Sequence, residues 1–353
     1  IGIVGTYFVA HYMGPIALGL VAFAGAYVSI FFIFGNIGFG TAHIKRVSEG
    51  KDLGKCIGTF SLIKISLVIF ISVLIIFSIY VKESFLNYNF DHSEQKNIIY
   101  LILFSEILRQ LILIPKKTFE AQGNASKAVL PVILVKIVRI FVIVPVAILG
   151  YGVYGLVGVV ILTSILLFIS FFYLFKDYPI SLPSKDYFYS YFNFALPLMF
   201  LYAMGSIAFQ LDFLMLGWFT SVKELGQFSS VQRLVLILSS IPQAIGMVLF
   251  PKISKLHSKE EHKAINHYVY QTERFTGMFV IPLALFFIIF SNEIISILYG
   301  SEFIEANISL KLLALYIIID SLRRPYAFKM GGTDNNHILV KLATISVFSN
   351  IIF

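Results

Sequence analysis

The chain has 353 residues, 58% of them hydrophobic and only 13% charged, with a mean hydropathy of +0.87. Soluble domains carry about 25% charged residues, so this composition excludes a soluble domain and describes an all-α polytopic membrane protein. The net charge of +8 does not point to nucleic acid, because the cations lie in short segments between apolar runs and not on one basic face, and the single cysteine, Cys56, excludes an intrachain disulfide or a cysteine metal cluster.

Apolar runs of more than about 18 residues predict membrane-spanning helices. In chain order, Ile1–Ala10 reads as the back half of a first span and His11–Leu18 as a short turn with a Gly-Pro breaker. Gly19–Gly40 is the second span, followed by a basic loop at Thr41–Cys56. Ile57–Tyr80 is the third, Val81–Lys96 a polar loop, Asn97–Ile114 the fourth span and Pro115–Lys127 a loop. Ala128–Leu149 and Gly155–Phe175 are the fifth and sixth spans, joined by a turn at Gly150–Tyr154. After a loop at Lys176–Asp186, a seventh span near Tyr187–Leu211 is expected to kink at Pro197. The eighth, Leu225–Pro251, contains one charge, Arg233. A polar segment to about Arg274 precedes a ninth span at Phe275–Phe290, kinked by Pro282. Ser291–Asn307 reads as an acidic loop, Ile308–Leu322 as a tenth span, and an eleventh begins near His337. Both chain ends fall inside apolar runs, so the sequence reads as cropped from a longer protein.

Loops on the Thr41 side hold seventeen Lys and Arg residues, against three (Lys82, Lys96, Lys223) on the His11 side. The positive-inside rule then places the N-terminal end in the cytoplasm of a multi-pass protein of the cell membrane. A shift of 207 residues places Leu18-Gly19 on Leu225-Gly226 and Lys45 on Lys252. This layout predicts a parallel repeat with an N-lobe at 1–186 (spans one to six) and a C-lobe at 187–353 (spans seven to eleven). Further on, after a further shift of two, the turn Gly123-Asn124-Ala125-Ser126 falls on Gly332-Thr333-Asp334-Asn335.

Seven cations remain inside spans: Lys64, Arg109, Lys136, Arg139, Arg233, Lys311 and Lys341. Charges in spans usually face a partner or a water-filled cavity. Lys136 and Arg139 are three apart on one helix face and read as cavity cations, which implies an anionic ligand. Lys64 fits either snorkelling or a structural pair, and Arg109 has Glu106 at i−3 on its own helix. Lys311 and Lys341 lie near span ends and read as snorkelling. Glu106 and Asp320 are the acids available for ion coupling, although Arg323 and Arg324 follow Asp320 closely. The G-x-G-x-x-G match at Gly150–Gly155 has no strand before it, the histidines lack metal-ligand spacing, and there is no Walker lysine motif, so no cofactor or metal is expected. The sequon at Asn307 abuts the membrane and reads as incidental.

Tyr7 to Gly50 (YFVAHYMGPIALGLVAF…FGNIGFGTAHIKRVSEG), Ser229 to Ser254 (SSVQRLVLILSSIPQAIGMVLFPKIS) and Ile281 to Phe303 (IPLALFFIIFSNEIISILYGSEF) resemble polysaccharide transporters of the O-antigen flippase type. These belong to the multidrug/oligosaccharidyl-lipid/polysaccharide (MOP) exporter superfamily. The resemblance covers essentially the whole chain and is most specific around Arg233. It implies a two-lobed fold of twelve to fourteen helices around a central cavity, of which this chain holds about ten complete or partial spans plus the start of an eleventh. It also implies a non-enzymatic flippase that moves a polyprenyl-(di)phosphate-linked oligosaccharide to the outer leaflet by alternating access. Arg233 matches an arginine that contributes to the cationic cavity of related lipid II flippases, whereas Lys136, Arg139, Lys64 and Arg109 follow from the residues alone. The implied partners are the lipid-linked oligosaccharide, membrane lipids and polymerase or glycosyltransferase machinery. Two readings stay open: a cation-coupled multidrug antiporter of the same superfamily, which would call for a cavity rich in Asp and Glu, and a membrane-embedded glycan ligase, which would call for a catalytic acid and a large outer loop.

Overall fold

The computed structural model describes residues 2–36, 38–84 and 94–333, together with positions 338, 341, 342, 344 and 345. Among these residues the fold is all helical: α1 (Gly2–Asn36), α2 (Phe39–Ser48), α3 (Leu53–Ser84), α4 (Gln95–Ala121), α5 (Ala125–Ile148), α6 (Gly152–Phe175), α7 (Lys185–Phe219), α8 (Val222–His257), α9 (His262–Ile289), α10 (Ser291–Tyr299), a 3₁₀ turn (Ser301–Ala306) and α11 (Asn307–Gly332). Seven of these helices are long and apolar enough to cross a membrane, so this is a multi-pass membrane protein. Most of the eleventh span, and the Asp334-Asn335 half of the repeated turn, lie outside the described residues.

The helices form two packing units. One comprises Leu20–Phe219; the other joins Gly2–Gly19 to the segment from Thr220 onward. This division falls at 219/220, whereas the lobes drawn from span count meet at 186/187.

The turn expected at His11–Leu18 contracts to one residue. Gly14 interrupts α1 at φ 72°, ψ −179°, a conformation essentially restricted to glycine, and Pro15 starts the next helical segment, where its missing N–H costs nothing. A second break separates α1 from α2 at Gly38, which is left-handed (φ 75°). The repeat shift places Ile245 at the Gly38 position (38 + 207), and a β-branched residue does not adopt that conformation. Accordingly α8 continues unbroken to His257.

The same shift aligns helices as well as letters. Adding 207 to the bounds of α3 gives 260–291, and α9 occupies His262–Ile289; adding it to α4 gives 302–328, against Asn307–Gly332 for α11. The start of α9 corrects the expectation of a polar segment up to Arg274. Ile265 and Val269 are buried one turn apart against Leu249 and Ile253, so the segment is an amphipathic helix carrying polar residues on its other face. The acidic loop expected at Ser291–Asn307 is also helical, with Ile295 and Tyr299 buried at i, i+4. Helix α4 runs through Pro115 to Ala121, where a loop was expected, and α9 carries Pro282 within it.

A buried polar chain fixes α2 to its neighbours in the first unit. His43 Nδ1 lies 2.8 Å from the Tyr191 hydroxyl on α7, and Nε2 lies 2.9 Å from Thr118 Oγ1 on α4. Thr118 Oγ1 donates in turn to Ile114 O at 2.9 Å, and the imidazole stacks on Phe60 of α3. The shortest contacts fit one tautomer, in which Tyr191 donates to Nδ1 and Nε2–H donates to Thr118. Burial lowers the His43 pKa to about 3. The unfolded histidine titrates near 6.5, so stability from the neutral folded form is present above that pH and is lost as pH falls toward 3. His43→Leu should cost about 1–3 kcal/mol at neutral pH, because it removes two buried hydrogen bonds and leaves the Tyr191 hydroxyl only the longer contact to Cys56 O at 3.3 Å. Thermal unfolding in detergent should show that loss together with a shallower decline between pH 6.5 and 4.

Candidate functional site

Arg233 is carried by α8, whose first turn is a capping box: Ser221 Oγ accepts from the Glu224 N–H, and the Glu224 carboxylate accepts from the Ser221 N–H at 2.8 Å. Arg233 stands eleven residues past Val222, or about 17 Å along the axis. The apolar part of α8, Val222–Gly246, is 25 residues long, so Arg233 falls near its middle. From the sequence it lay two turns into the span; the N-terminal extension of the helix moves it a turn deeper.

Its guanidinium Nη1 donates to Thr6 Oγ1 at 2.9 Å. Thr6 belongs to the first segment of α1, is 3% exposed, and is in the same packing unit as α8. Tyr299, at the end of α10, donates its hydroxyl to Ser230 O at 3.0 Å; burial pushes its pKa up, and the nearby Arg233 charge pulls against that rise. One turn nearer the helix start, Gln227 donates to Glu302 O at 2.7 Å and to Glu305 Oε2 at 3.2 Å. Thr6 from α1 and Tyr299 from α10 therefore lie beside Arg233, and sequence reasoning missed both. The available signal for Thr6 was a hydroxyl inside an apolar run, but its distance in sequence from Arg233 concealed the pairing.

Beside this site, α8 and α1 cross at unusually close range. A Cβ on Gly226 would lie 1.8 Å from Pro15 O, and one on Gly19 would lie 1.9 Å from Val222 O. The repeat shift carries Pro15 onto Val222 and Gly19 onto Gly226 (15 + 207 and 19 + 207). The two segments thus meet through positions that the shift of 207 makes equivalent.

The cations of the first unit have different surroundings. Lys64 is 1% exposed, and its Nζ donates to Gly35 O at 2.8 Å and Gln110 Oε1 at 3.2 Å. Gly35 is in the last turn of α1, so the ammonium sits on the negative end of that helix, as a structural contact. Gln110 donates onward to Glu106 Oε1 at 2.7 Å, and Glu106 pairs with Arg109 at 3.5 Å, the intrahelical pair expected from the sequence. Lys136 and Arg139 both stand on the exposed face of α5, and Arg139 is close enough to Arg109 to feel its charge. Asp320 is 3% exposed and takes Arg323 at 2.7 Å and Arg324 at 2.6 Å, a local triad that occupies both carboxylate oxygens. No group of metal-ligating side chains occurs among the described residues.

Comparison with known proteins assigns the family. A family model described as "Polysaccharide biosynthesis protein" matches residues 8–308. The protein of Haloferax volcanii named "Probable low-salt glycan biosynthesis flippase Agl15" is 27% identical over 142 residues, covering 40% of this chain and 30% of that protein. An uncharacterized membrane protein of Methanocaldococcus jannaschii is 28% identical over 167 residues, covering 46% of this chain and 32% of that protein. The matches thus span about a third of each curated relative. Among solved structures, an inward-facing multidrug resistance MATE family transporter of the MOP superfamily superposes with a TM-score of 0.76 at 13% identity, covering 99% of this chain and 84% of that one. An outward-facing MATE transporter gives 0.55 at 14% identity, covering 97% and 82%. At these identities the likeness is one of fold. With the family match across most of its length, the chain belongs to the polysaccharide biosynthesis protein family, and it shares the fold of those MATE structures.

Proposed function

We propose that the protein is a flippase that moves a polyprenyl-(di)phosphate-linked oligosaccharide across the cytoplasmic membrane during synthesis of a surface polysaccharide, by alternating access and without covalent catalysis. The observation that carries this reading is Arg233, a guanidinium near the middle of an apolar helix, where a permanent charge costs about 2.5–3.5 kcal/mol on insertion scales. Such a position suits a diphosphate, whose oxygens match the planar fork of arginine. Lys136, Arg139 and Arg109 are a second set of cations available to an anion, in the first lobe (1–186), while Lys64 serves the α1 end. Glu106 and Asp320 are held by neighbouring cations, so the coupling ion is not assigned to them. The N-terminal end is read as cytoplasmic from the lysine and arginine asymmetry. Outward movement of a negative headgroup is then favoured by about 2.3 kcal/mol per charge per 100 mV of inside-negative potential. Partners of this reading are membrane lipids and the polymerase or glycosyltransferases of the same pathway.

The MATE-like fold also supports a second reading, a cation-coupled multidrug antiporter. An organic cation calls for buried acids, whereas the charges in the spans are mainly basic, which favours the anionic substrate.

The test is reconstitution into liposomes carrying a fluorescent polyprenyl-diphosphate oligosaccharide, with an impermeant quencher reporting the outer leaflet. Protein-dependent transbilayer exchange is expected, faster with an imposed potential of the correct sign. Absence of exchange, together with gradient-driven movement of organic cations, would replace this reading with the antiporter.

A further inference from the structure

In the second unit, α9 and α11 pack along each other and leave a groove of about 630 Å³ lined by Tyr270, Arg274, Gly277, Met278, Pro282 and Leu322. Its shape comes from a missing side chain: Gly277 forms part of the floor, and a Cβ there would already stand 3.2 Å from Leu322. Its walls are apolar, with Met278 71% exposed. At its mouth is Arg274, exposed and with no acidic partner within 4 Å among the described residues. The adjacent acid, Glu273, also lines the groove, but its carboxylate accepts the Tyr326 hydroxyl at 2.7 Å. Arg274 is also where α9 changes character, polar before it and apolar from Phe275 onward, so it stands at the level of the headgroups on the lysine-rich side.

We infer that this groove is a binding site for an anionic membrane phospholipid, with its phosphate on Arg274 and Tyr270 and an acyl chain along Met278 to Pro282. Basic pockets between membrane helices on the cytoplasmic side hold anionic headgroups in this way. Length decides between lipids. Arg274 to Pro282 is eight residues, about 12 Å of helix, close to the depth of one leaflet of a hydrocarbon layer about 30 Å thick. An acyl chain fits that depth, whereas a polyprenyl tail is several times longer. The site is separate from Arg233 and would tie the protein to the composition of the inner leaflet.

The experiment uses the protein purified in mild detergent and exposed to an equimolar mixture of phosphatidylglycerol and phosphatidylcholine, with retained lipid counted by native mass spectrometry. The wild type should retain phosphatidylglycerol over phosphatidylcholine by about fivefold. Arg274→Glu should abolish that preference, Arg274→Lys should keep part of it, and Gly277→Leu should remove the lipid by filling the floor. Because Arg274 is exposed, its variants should fold, which their melting temperatures check. Equal retention of the two lipids by the wild type, or an unchanged preference in Arg274→Glu, would overturn the site. Displacement of phosphatidylglycerol by polyprenyl phosphate at equal concentration would overturn the choice of occupant. The readout is lipid retention, so it stands whether or not the flippase reading holds.

Discussion

Replacing Gly226 with alanine is expected to destabilise the second unit by about 3 kcal/mol or more, the upper end of the range for overpacking in a well-packed core. The added methyl would fall 1.8 Å from Pro15 O, 2.7 Å from Pro15 C and 2.9 Å from Gly19 N. All three are backbone atoms, so no rotamer change relieves the clash and the helices must separate. Gly19→Ala should behave alike, because its methyl would meet Val222 O at 1.9 Å and Gly226 N at 3.0 Å. Separation forfeits the close approach that small residues permit between membrane helices, where packing replaces the hydrophobic drive. One movement relieves both clashes, so the double variant should cost clearly less than the sum of the singles. Thermal unfolding of the four proteins in one detergent supplies that cycle. Single variants that melt with the wild type, or a strictly additive double, would show that the two glycines do not share one contact.

The glycine contact shows where legibility in the sequence stops. Leu18-Gly19 and Leu225-Gly226 could be matched by a shift of 207, because both sit where a span begins. That they touch depends on how two helices cross, which no local pattern records. The spans themselves were legible, since a long apolar run has few other stable solutions in a bilayer. What was missed is helix without such a run. The first half of α9 hides its apolar residues at a helical period among His, Asn, Tyr and Gln, and α10 buries only Ile295 and Tyr299 beside Ser291. Proline misled once as well, because Pro115, read as the start of a loop, lies inside α4. The candidate site divides along the same line. Arg233 was visible as a lone charge in an apolar stretch, and its family pattern was readable. Thr6 as its hydrogen-bond partner, and the end of α1 as the seat of Lys64, are properties of the packed chain.

Arg233→Ala is expected to reduce flipping of the lipid-linked oligosaccharide by about 100- to 4,000-fold while the protein still inserts and accumulates in the membrane. The range follows from about 3–5 kcal/mol for removing one member of a buried charge pair, at tenfold per 1.4 kcal/mol. Structural damage should be smaller, because Arg233 is half-buried and the neutral Thr6 hydroxyl loses only one hydrogen bond, worth about 1–3 kcal/mol if left unsatisfied. Thr6→Val separates orientation from charge. It keeps the guanidinium but removes the contact seen at 2.9 Å, and should lower the rate several-fold without abolishing it. Arg233→Lys retains the charge and loses the planar fork with its five donors, so partial activity is expected there. Rates are read in the liposome assay, and surface glycan in cells lacking the native protein gives the same ranking in vivo. Full activity in Arg233→Ala would remove this residue from the substrate path. A lysine variant as inactive as alanine, with normal melting and membrane levels, would mean that two-point recognition of the phosphate matters and charge alone does not suffice.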